Sequence, residues 1–360
     1  MTDPPLRLES LDVFRGLAIA GMILVSTPGT WNAVYAPLEH ADWNGWTPTD
    51  LVFPFLLFAM GAAVPFALSR RRGTPRLRRH VVRRAAILFG LGLVLNAIET
   101  SPPIELGTFR VLGVLQRIAL VYLAVAWLTE TASRRTQIAA AVAALLGYCA
   151  ALTLVPVAPG DTLPGAIDRA ILGRHVLAPW GDPEGFLSTI PSIATALAGV
   201  FAGDWLKEMR SPHGSLYLWS AGAAATAVGL AWGLVFPINK NLWTSSFALF
   251  SAGMAAQVLA VCHWLLDVRG WRFWSAPFAA YGRNALAAYF LSVGFDALVT
   301  RWTLEDGVPL KAVVYRAGFA QWLAPCCGAE SASLAYAIVY VALWAVVAME
   351  MRRRRVFIGI

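Results

Sequence analysis

Residues 39–68, EHADWNGWTPTDLVFPFLLFAMGAAVPFAL, join a short polar stretch directly to a long apolar run. The polar part contains His40, Asp42, Asn44 and Asp50, with tryptophans between them. The apolar run is long enough to cross the roughly 30 Å hydrocarbon core of a bilayer as a helix. One interpretation is an interfacial loop, in which the tryptophans lie at the headgroup level and Asp50 caps the helix. The other is the site of a membrane enzyme at the mouth of that helix.

The composition of the chain supports a membrane protein. Hydrophobic residues make up 58% of the 360 residues and charged residues 14%, and the mean hydropathy is +0.60. Soluble domains carry about 25% charged residues, so this chain is predicted to cross the membrane several times. The net charge of +8 does not indicate nucleic-acid binding, because the arginines cluster in short tracts beside apolar segments. The four cysteines lack metal or disulfide spacing, and we expect no metal cofactor.

Ten apolar segments predict an all-α polytopic helical bundle that forms one transmembrane domain over residues 1–360. The first segment is not a cleavable signal peptide, because no small-residue cleavage site follows a short apolar region. The predicted segments are 11–27, 50–68, 81–98, 110–128, 137–157, 187–205, 216–236, 242–265, 277–299 and 333–350.

The basic residues of the connections predict the topology. The connection 69–84 holds eight arginines, whereas 28–49 and 99–109 contain neither lysine nor arginine. The positive-inside rule therefore places both termini in the cytoplasm and the His40 stretch on the opposite face. An amphipathic helix at 308–323 is expected to lie on the membrane surface of that opposite face. The remaining loops of that face are 158–186, 237–241 and 300–332.

Polar side chains within spanning segments are costly and are candidates for function. Their alternative roles are local ion pairs, snorkelling and interhelical hydrogen bonds. The planar guanidinium group of arginine also matches the geometry of a phosphate group, so the arginines at cytoplasmic helix ends could bind a polyanion. The residues of this kind are Asp12, Arg15, Gln116, Arg117, Arg283 and Asn284.

On the opposite face, His40 is the natural general base, because an imidazole titrates near neutral pH. Asp42 or Asp50 could orient its ring, as a carboxylate does in hydrolase triads. Lys240 could position a substrate or neutralise developing negative charge. The alternatives are an interfacial histidine bonded to backbone and a snorkelling loop lysine.

Six motifs occur in order between residues 7 and 300 and point to a known family. They are RLESLDVFRG (7–16), HADWNG (40–45) with TDLVFP (49–54), RVLGVLQRIA (110–119), DPEGFLST (182–189) with Pro191, PINKNLWTSSF (237–247) and GRNAL (282–286). Together they resemble the heparan-alpha-glucosaminide N-acetyltransferase family, a group of transmembrane acetyltransferases with bacterial amino-sugar relatives.

The resemblance implies an enzyme that uses cytosolic acetyl-CoA to acetylate the amine of a glucosamine-type sugar across the membrane. In that family the histidine matching His40 is catalytic, and it would act as general base or carry the acetyl group. Asp50 and Asn44 would organise the catalytic loop. The sugar or the reacting carbonyl would meet Asn239, Lys240, Trp243, Asp182, Glu184 and Ser26. The CoA moiety would meet Asp12, Arg15, Gln116, Arg117, Arg283 and Asn284.

The resemblance also implies a bacterial inner-membrane location, with the His40 loop in the periplasm, and a homodimer. One residue departs from the family, since Ser26 stands where many relatives have an asparagine at the end of the first span. A serine hydroxyl donates one hydrogen bond with shorter reach, which affects substrate choice.

Two other functions fit a helical bundle with polar residues at both ends. One is an amino-sugar transporter or permease, although the matched broken-helix signals of inverted repeats are missing from the sequence. The other is an O-acyltransferase that acts on envelope polysaccharide, which shares the chemistry and differs in the acceptor.

Overall fold

The computed structural model describes residues 8–68, 75–100, 105–155, 157, 161–209, 211–304 and 307–358. Four residues used in the topology prediction, Arg70, Arg71, Arg72 and Arg210, lie outside this part of the chain, as does Arg7 of the first motif. The described residues are mainly helical, and they form two isolated bridges but no strand.

Fourteen α-helices follow one another along the described residues. A 3₁₀ turn at Ala36–Leu38 and π-helical turns at Trp264–Val268 and Arg316–Ala320 accompany them. The helices are α1 Glu9–Ser26, α2 Pro48–Leu68, α3 Pro75–Glu99, α4 Val114–Thr131, α5 Arg134–Leu154, α6 Leu163–Leu172, α7 Phe186–Glu208, α8 Pro212–Gly233, α9 Ser245–His263, α10 Ala276–Arg283, α11 Ala285–Arg301, α12 Leu310–Tyr315, α13 Gln321–Cys327 and α14 Ala329–Arg353.

The predicted all-α membrane protein is confirmed. Within the described part of the chain, seven helical stretches are long and apolar enough to cross a membrane: Pro48–Leu68, Leu77–Glu99, Val114–Thr131, Arg134–Leu154, Phe186–Glu208, Ser245–Val268 and Ala329–Arg353. The other predicted segments also contain helices, but α1 carries Glu9, Asp12 and Arg15, and α11 has only 17 residues. A total of ten spans therefore stays a prediction, as does the cytoplasmic side of the termini.

The predicted span at 277–299 consists of two helices rather than one, because Asn284 separates α10 from α11 with φ −119° and ψ 34°. The Asn284 side chain bonds the C-terminal segment through Val356 and Ile358, and this contact accompanies the break. A short helix, α6, lies in the connection predicted as a loop at 158–186 and begins with Thr162 as its cap. The helix predicted at 308–323 is confirmed, and it consists of α12, the π-helical turn Arg316–Ala320 and the start of α13.

Glycine lets α2 and α7 approach each other closely. A Cβ on Gly61 would overlap the carbonyl oxygen of Ala196, and a Cβ on Gly199 would overlap that of Phe58. Gly199 and Gly203 are four residues apart, which is the small-residue spacing that brings membrane helices into backbone contact. This contact holds the start of α2 beside the chain that leads into α7.

Glycine also lets α1 and α10 approach each other closely. A Cβ on Gly16 would overlap the backbone of Phe278, and one on Gly282 would overlap the carbonyl of Asp12. The two helices thereby bring Arg15 and Arg283 to the same end of the bundle.

Replacing Gly199 with alanine is expected to destabilise the protein by about 1–3 kcal/mol, because the added methyl group forces α2 and α7 apart. The free energy of unfolding in mixed detergent micelles measures this. The control is Gly147→Ala in α5, where a Cβ meets nothing within 4 Å. That change should stabilise the helix by about 0.5–1 kcal/mol. Equal effects at both positions would contradict the close α2–α7 contact.

Candidate active site

The side chains of His40 and Asp50 meet at the start of α2. His40 Nδ1 lies 2.7 Å from Asp50 Oδ1, and the Asp50 side chain is 1% exposed whereas that of His40 is 55% exposed. Asp50 Oδ2 accepts from the backbone N–H groups of Ala41 and Thr47, at 3.2 and 3.0 Å. A carboxylate can only accept, so His40 Nδ1 carries the proton and Nε2 presents a lone pair. Asp50, rather than the exposed Asp42, therefore orients the imidazole.

Lys240 joins this pair from the α8–α9 connection. Its Nζ lies 3.0 Å from His40 Nδ1, 3.1 Å from Nε2 and 3.7 Å from Asp50 Oδ1. Because Nζ is almost equidistant from the two ring nitrogens, it lies over the imidazole ring rather than in line with the Nε2 lone pair. Burial lowers the pKa of Lys240, and the negative charge of Asp50 offsets this only in part. The three side chains form one hydrogen-bonded cluster, which we call the His40 cluster.

Asn44 and Asn239 tie the two loops of the cluster together. Asn239 Nδ2 donates to Asn44 Oδ1 at 3.2 Å, and the Gly45 N–H donates to the Ile238 carbonyl at 2.8 Å. Asn239 is 1% exposed, and its Oδ1 also accepts from the N–H of Leu242 at 2.9 Å. The structure therefore gives Asn239 a loop-positioning contact, although the sequence predicted that it meets the sugar.

Trp243 is a buried residue of the loop that carries Lys240, and its N–H donates to the Lys240 carbonyl at 3.0 Å. It is 1% exposed and has φ 51°, a left-handed conformation that is rare for a large side chain. Its ring packs edge to face on Phe53 of α2, with ring centroids 5.3 Å apart, and its Nε1 donates to Thr195 of α7 at 3.3 Å. The indole thus links the Lys240 loop to α2 and α7.

Asp182 and Glu184 bind an arginine that sequence reasoning missed. Arg110 donates to both Asp182 oxygens at 2.8 and 2.7 Å and to Glu184 Oε2 at 2.6 Å. Burial alone would raise the pKa of Asp182, but the hydrogen bonds and charge of Arg110 outweigh it and lower that pKa. Arg110 begins the motif at 110–119, and this position was its one sequence signal. It had been placed inside a span, whereas α4 begins at Val114.

Arg117 and Gln116 lie on the side of the His40 cluster, not with Arg15 and Arg283. Arg117 is 1% exposed, donates to the Pro183 carbonyl at 2.5 Å and to Ser188 Oγ, and stacks over the Trp243 ring with its Cζ 5.1 Å from the centroid. Gln116 Nε2 donates to the Val111 carbonyl at 3.1 Å. Their predicted grouping with Arg15 and Arg283 is therefore corrected, since both lie in the first turn of α4, at the end that faces the loop before α7.

A cavity of about 270 Å³ lies at the opposite end of the bundle, and we call it the arginine cavity. Arg15, Arg84 and Arg283 line it together with apolar side chains of α2, α4 and α11. Arg15 donates to the Gly282 carbonyl at 3.2 Å, and Arg283 Nε lies 3.5 Å from Asp12. Arg84, which sequence reasoning counted only as a loop charge, has its Cζ 4.8 Å from the Tyr122 ring centroid.

The C-terminal segment borders the arginine cavity. Asn284 Nδ2 donates to the Val356 carbonyl at 3.2 Å, and its Oδ1 accepts from the Ile358 N–H at 3.1 Å. Ile358 lines the cavity and is 48% exposed. Asn284 therefore acts on the cavity through the segment that it holds.

The arginine cavity follows one face of α2 toward the His40 cluster. Ala67, Ala63, Met60 and Leu56 line it at helical spacing. The rise of a helix makes this stretch about 16 Å long and leaves Leu56 about 9 Å along α2 from Asp50. An extended apolar chain that enters at the arginines would thus end close to the His40 loop.

Ser26 lines a second cavity of about 570 Å³, which we call the Trp31 cavity. Its wall comes from the end of α1, residues 28–32, the end of α3, α11 and the start of α12. Asp296 and Lys311 pair within it at 2.9 Å, and Trp31 is 65% exposed. The structure places Ser26 in this cavity rather than among the hydrogen-bonded groups of the His40 cluster.

A sequence model of the family described as "Heparan-alpha-glucosaminide N-acetyltransferase, catalytic" matches residues 7–232. The chain belongs to this family. Heparan-alpha-glucosaminide N-acetyltransferase of Homo sapiens is 27% identical over 423 aligned positions, which cover 98% of this chain and 60% of the human protein. The Mus musculus protein of the same name is 27% identical over 419 positions, with the same coverage. The chain thus spans about 60% of the length of these relatives.

The family assignment confirms the resemblance read from the six motifs. The match to the N-acetyltransferase family covers His40, Asp50, Arg110, Asp182 and Glu184 but ends at residue 232. The Lys240 loop lies beyond that point and nevertheless completes the His40 cluster.

Arg110→Met is expected to destabilise the protein by roughly 3–5 kcal/mol, because it leaves two buried carboxylates without their counter-charge. The control is Arg134→Met. Arg134 pairs with Asp204, and their side chains are 42% and 25% exposed, respectively. An exposed pair contributes about 0–1 kcal/mol, so the control should change little. Unfolding free energies in mixed micelles measure both, and a small loss for Arg110→Met would contradict a structural role for the ion pair.

Proposed function

We propose that this chain is a transmembrane acetyltransferase that moves the acetyl group of acetyl-CoA to the amine of a glucosamine-type sugar. The donor binds in the arginine cavity from the cytoplasm, and the acceptor meets the His40 cluster on the periplasmic face of a bacterial inner membrane. The His40–Asp50–Lys240 contact carries this proposal, because it is the hydrogen-bond pattern that prepares a neutral imidazole as a base. Family membership supports the acyl-transfer chemistry.

The arrangement accounts for each bond change in direct transfer. The amine nitrogen attacks the thioester carbonyl carbon, His40 Nε2 takes the amine proton, and the carbon–sulfur bond breaks to release CoA. Asp50 keeps the ring in the required tautomer and stabilises the imidazolium that forms. The Lys240 amine, which lies beside the imidazole, donates to the carbonyl oxygen as negative charge develops there.

The same imidazole could instead carry the acetyl group. In that sequence Nε2 attacks the thioester first, CoA leaves, and the amine then takes the acetyl group from the ring. The two routes differ in one observable, because a carrier releases CoA without acceptor whereas a general base does not.

The donor fits the arginine cavity through its shape and charge. CoA carries phosphate groups at one end and a long, thin arm at the other. Arg15, Arg84 and Arg283 supply positive charge at the mouth, and arginine forks suit phosphate oxygens. The apolar face of α2 suits the arm, so only the acetyl end approaches the His40 cluster. Arg84 replaces Gln116 and Arg117 in the donor site that the sequence proposed.

His40→Ala and Asp50→Asn are each expected to lower acetyl transfer about 10²–10⁴-fold, because the first removes the proton acceptor and the second favours the wrong tautomer. Labelled acetyl-CoA and glucosamine with purified protein measure the rate. Release of CoA without acceptor distinguishes the carrier from the general base in the same assay.

Asp42→Asn is the matched control for Asp50→Asn, since Asp42 is an exposed carboxylate of the same loop. It should leave the rate nearly unchanged. Undiminished transfer by His40→Ala would overturn the mechanism. Sugar uptake into vesicles without acetylation would favour the permease, and transfer to hydroxyl groups would favour the O-acyltransferase.

Arg84→Gln is expected to raise the KM for acetyl-CoA roughly 10- to 100-fold, because a hydrogen bond to a charged group contributes about 1.5–3 kcal/mol. The kcat at saturating donor should change little, since Arg84 lies far from the reacting atoms. Arg78→Gln is the control, because Arg78 belongs to the same helix but pairs with Glu130 outside the cavity. A lower kcat with an unchanged KM would contradict donor binding at Arg84.

A further inference from the structure

Helix α11 contributes one continuous face to both cavities. Leu286 and Tyr289 line the arginine cavity, and Tyr289, Val293 and Asp296 line the Trp31 cavity. Steps of three or four residues keep these side chains on one side of a helix. The two cavities therefore follow each other along α11 rather than lying on separate faces of the protein.

Tyr289 marks the boundary between the cavities. Among the residues that line these two cavities in the described part of the chain, it is the one that they share. Its side chain is 9% exposed, although cavities lie on both sides of it. The ring is therefore positioned as a wall between them.

The cavities differ in chemistry across this wall. The arginine cavity has an apolar interior formed by residues such as Leu56, Leu115 and Ile118. The Trp31 cavity contains Glu99, Asp296, Arg301 and Lys311, whose charged groups favour water. The lining of the Trp31 cavity is therefore charged where the interior of the arginine cavity is apolar.

We propose that Tyr289 is the partition that closes the donor cavity toward the Trp31 cavity, which opens at the opposite end of the bundle. The inference rests on the proposed function in one respect, namely that the donor is a thioester in the arginine cavity. Water that crossed the wall would attack the acetyl carbonyl carbon, break the carbon–sulfur bond, and yield acetate and the CoA thiol. Tyr289 is thus a positioning residue that directs the acetyl group to the acceptor and not to water.

The size of the aromatic ring is the property that matters in this role. Tyr289→Phe keeps the ring and should keep the wall, whereas Tyr289→Ala removes most of the side chain and should join the cavities. Tyr289→Leu shortens the wall with a smaller loss of packing, and it tests the same point if the alanine variant does not fold.

The first experiment measures the wall without using the enzymatic activity. A cysteine is placed in the Trp31 cavity by Val293→Cys, in a chain whose exposed Cys326 and Cys327 are changed to serine. Sealed membrane vesicles of both orientations are treated with a small, charged, impermeant thiol reagent. With Tyr289 or Tyr289→Phe, labelling should occur only from the side on which Trp31 is exposed. With Tyr289→Ala, labelling should also occur from the side of the arginine cavity.

Labelling that keeps its sidedness in Tyr289→Ala and Tyr289→Leu would overturn the proposal, as would loss of sidedness in Tyr289→Phe. This result is independent of the reaction, so it holds even if the protein transfers no acetyl group. The proposed function is tested separately by the rate of acetyl transfer. It would fail if the protein with His40 intact transferred no acetyl group.

The second experiment measures the ratio of acetate to acetylated sugar formed from labelled acetyl-CoA. Tyr289→Ala should raise this ratio, and Tyr289→Phe should restore it to the value of the unaltered protein. A residue that served only in packing would lower both products together. An unchanged ratio in an alanine variant that has lost labelling sidedness would show an open wall that does not protect the thioester, and would overturn that part of the proposal.

Discussion

The buried carboxylate of Asp50 is the constraint on which the candidate site depends. Its Oδ1 binds His40 and lies near Lys240, while its Oδ2 accepts two backbone N–H groups and the Thr47 hydroxyl. A carboxylate in the first turn of a helix is also favoured by the helix dipole. The carboxylate in the first turn of α2 is therefore the same group that orients the imidazole. Because the loop, the helix and the ring share one anion, none of them can move independently.

Two arginines, the partly buried Arg110 and the buried Arg117, order the chain farther from His40. Arg110 neutralises Asp182 and Glu184, and Arg117 bonds the chain at Pro183 and Ser188. Both therefore hold the segment that leads into α7. The glycine contact between α2 and α7 fixes that segment relative to Asp50, and Trp243 packs over Arg117 beneath Lys240. Charge pairs and close helix packing thus reinforce each other, because each buried charged group is compensated by a partner from a distant segment of the chain.

The two ends of the bundle separate two chemical tasks. Arg15, Arg84 and Arg283 gather positive charge around an apolar cavity, and the His40 cluster gathers proton-transfer groups at the other end of α2. In the proposed function, this division suits the transfer of an acyl group from a large anionic carrier to a polar acceptor. The carrier can remain at one end while its apolar arm reaches the other. Tyr289 lines both the arginine cavity and the Trp31 cavity and lies at the boundary between them.

The sequence by itself determined the apolar segments and the family, and it made His40 a candidate base with Asp42 or Asp50 as its partner, because hydropathy and motif order are local properties. Only the tertiary structure decided that Asp50 rather than Asp42 binds His40, that Lys240 joins them from 200 residues away, and that Arg110 holds Asp182 and Glu184. It also moved Arg117 to the His40 side and Ser26 to the Trp31 cavity. Such pairings depend on which helix faces come into contact. That choice is made by glycine contacts and buried charges acting between distant segments, and a pattern along one segment does not contain it.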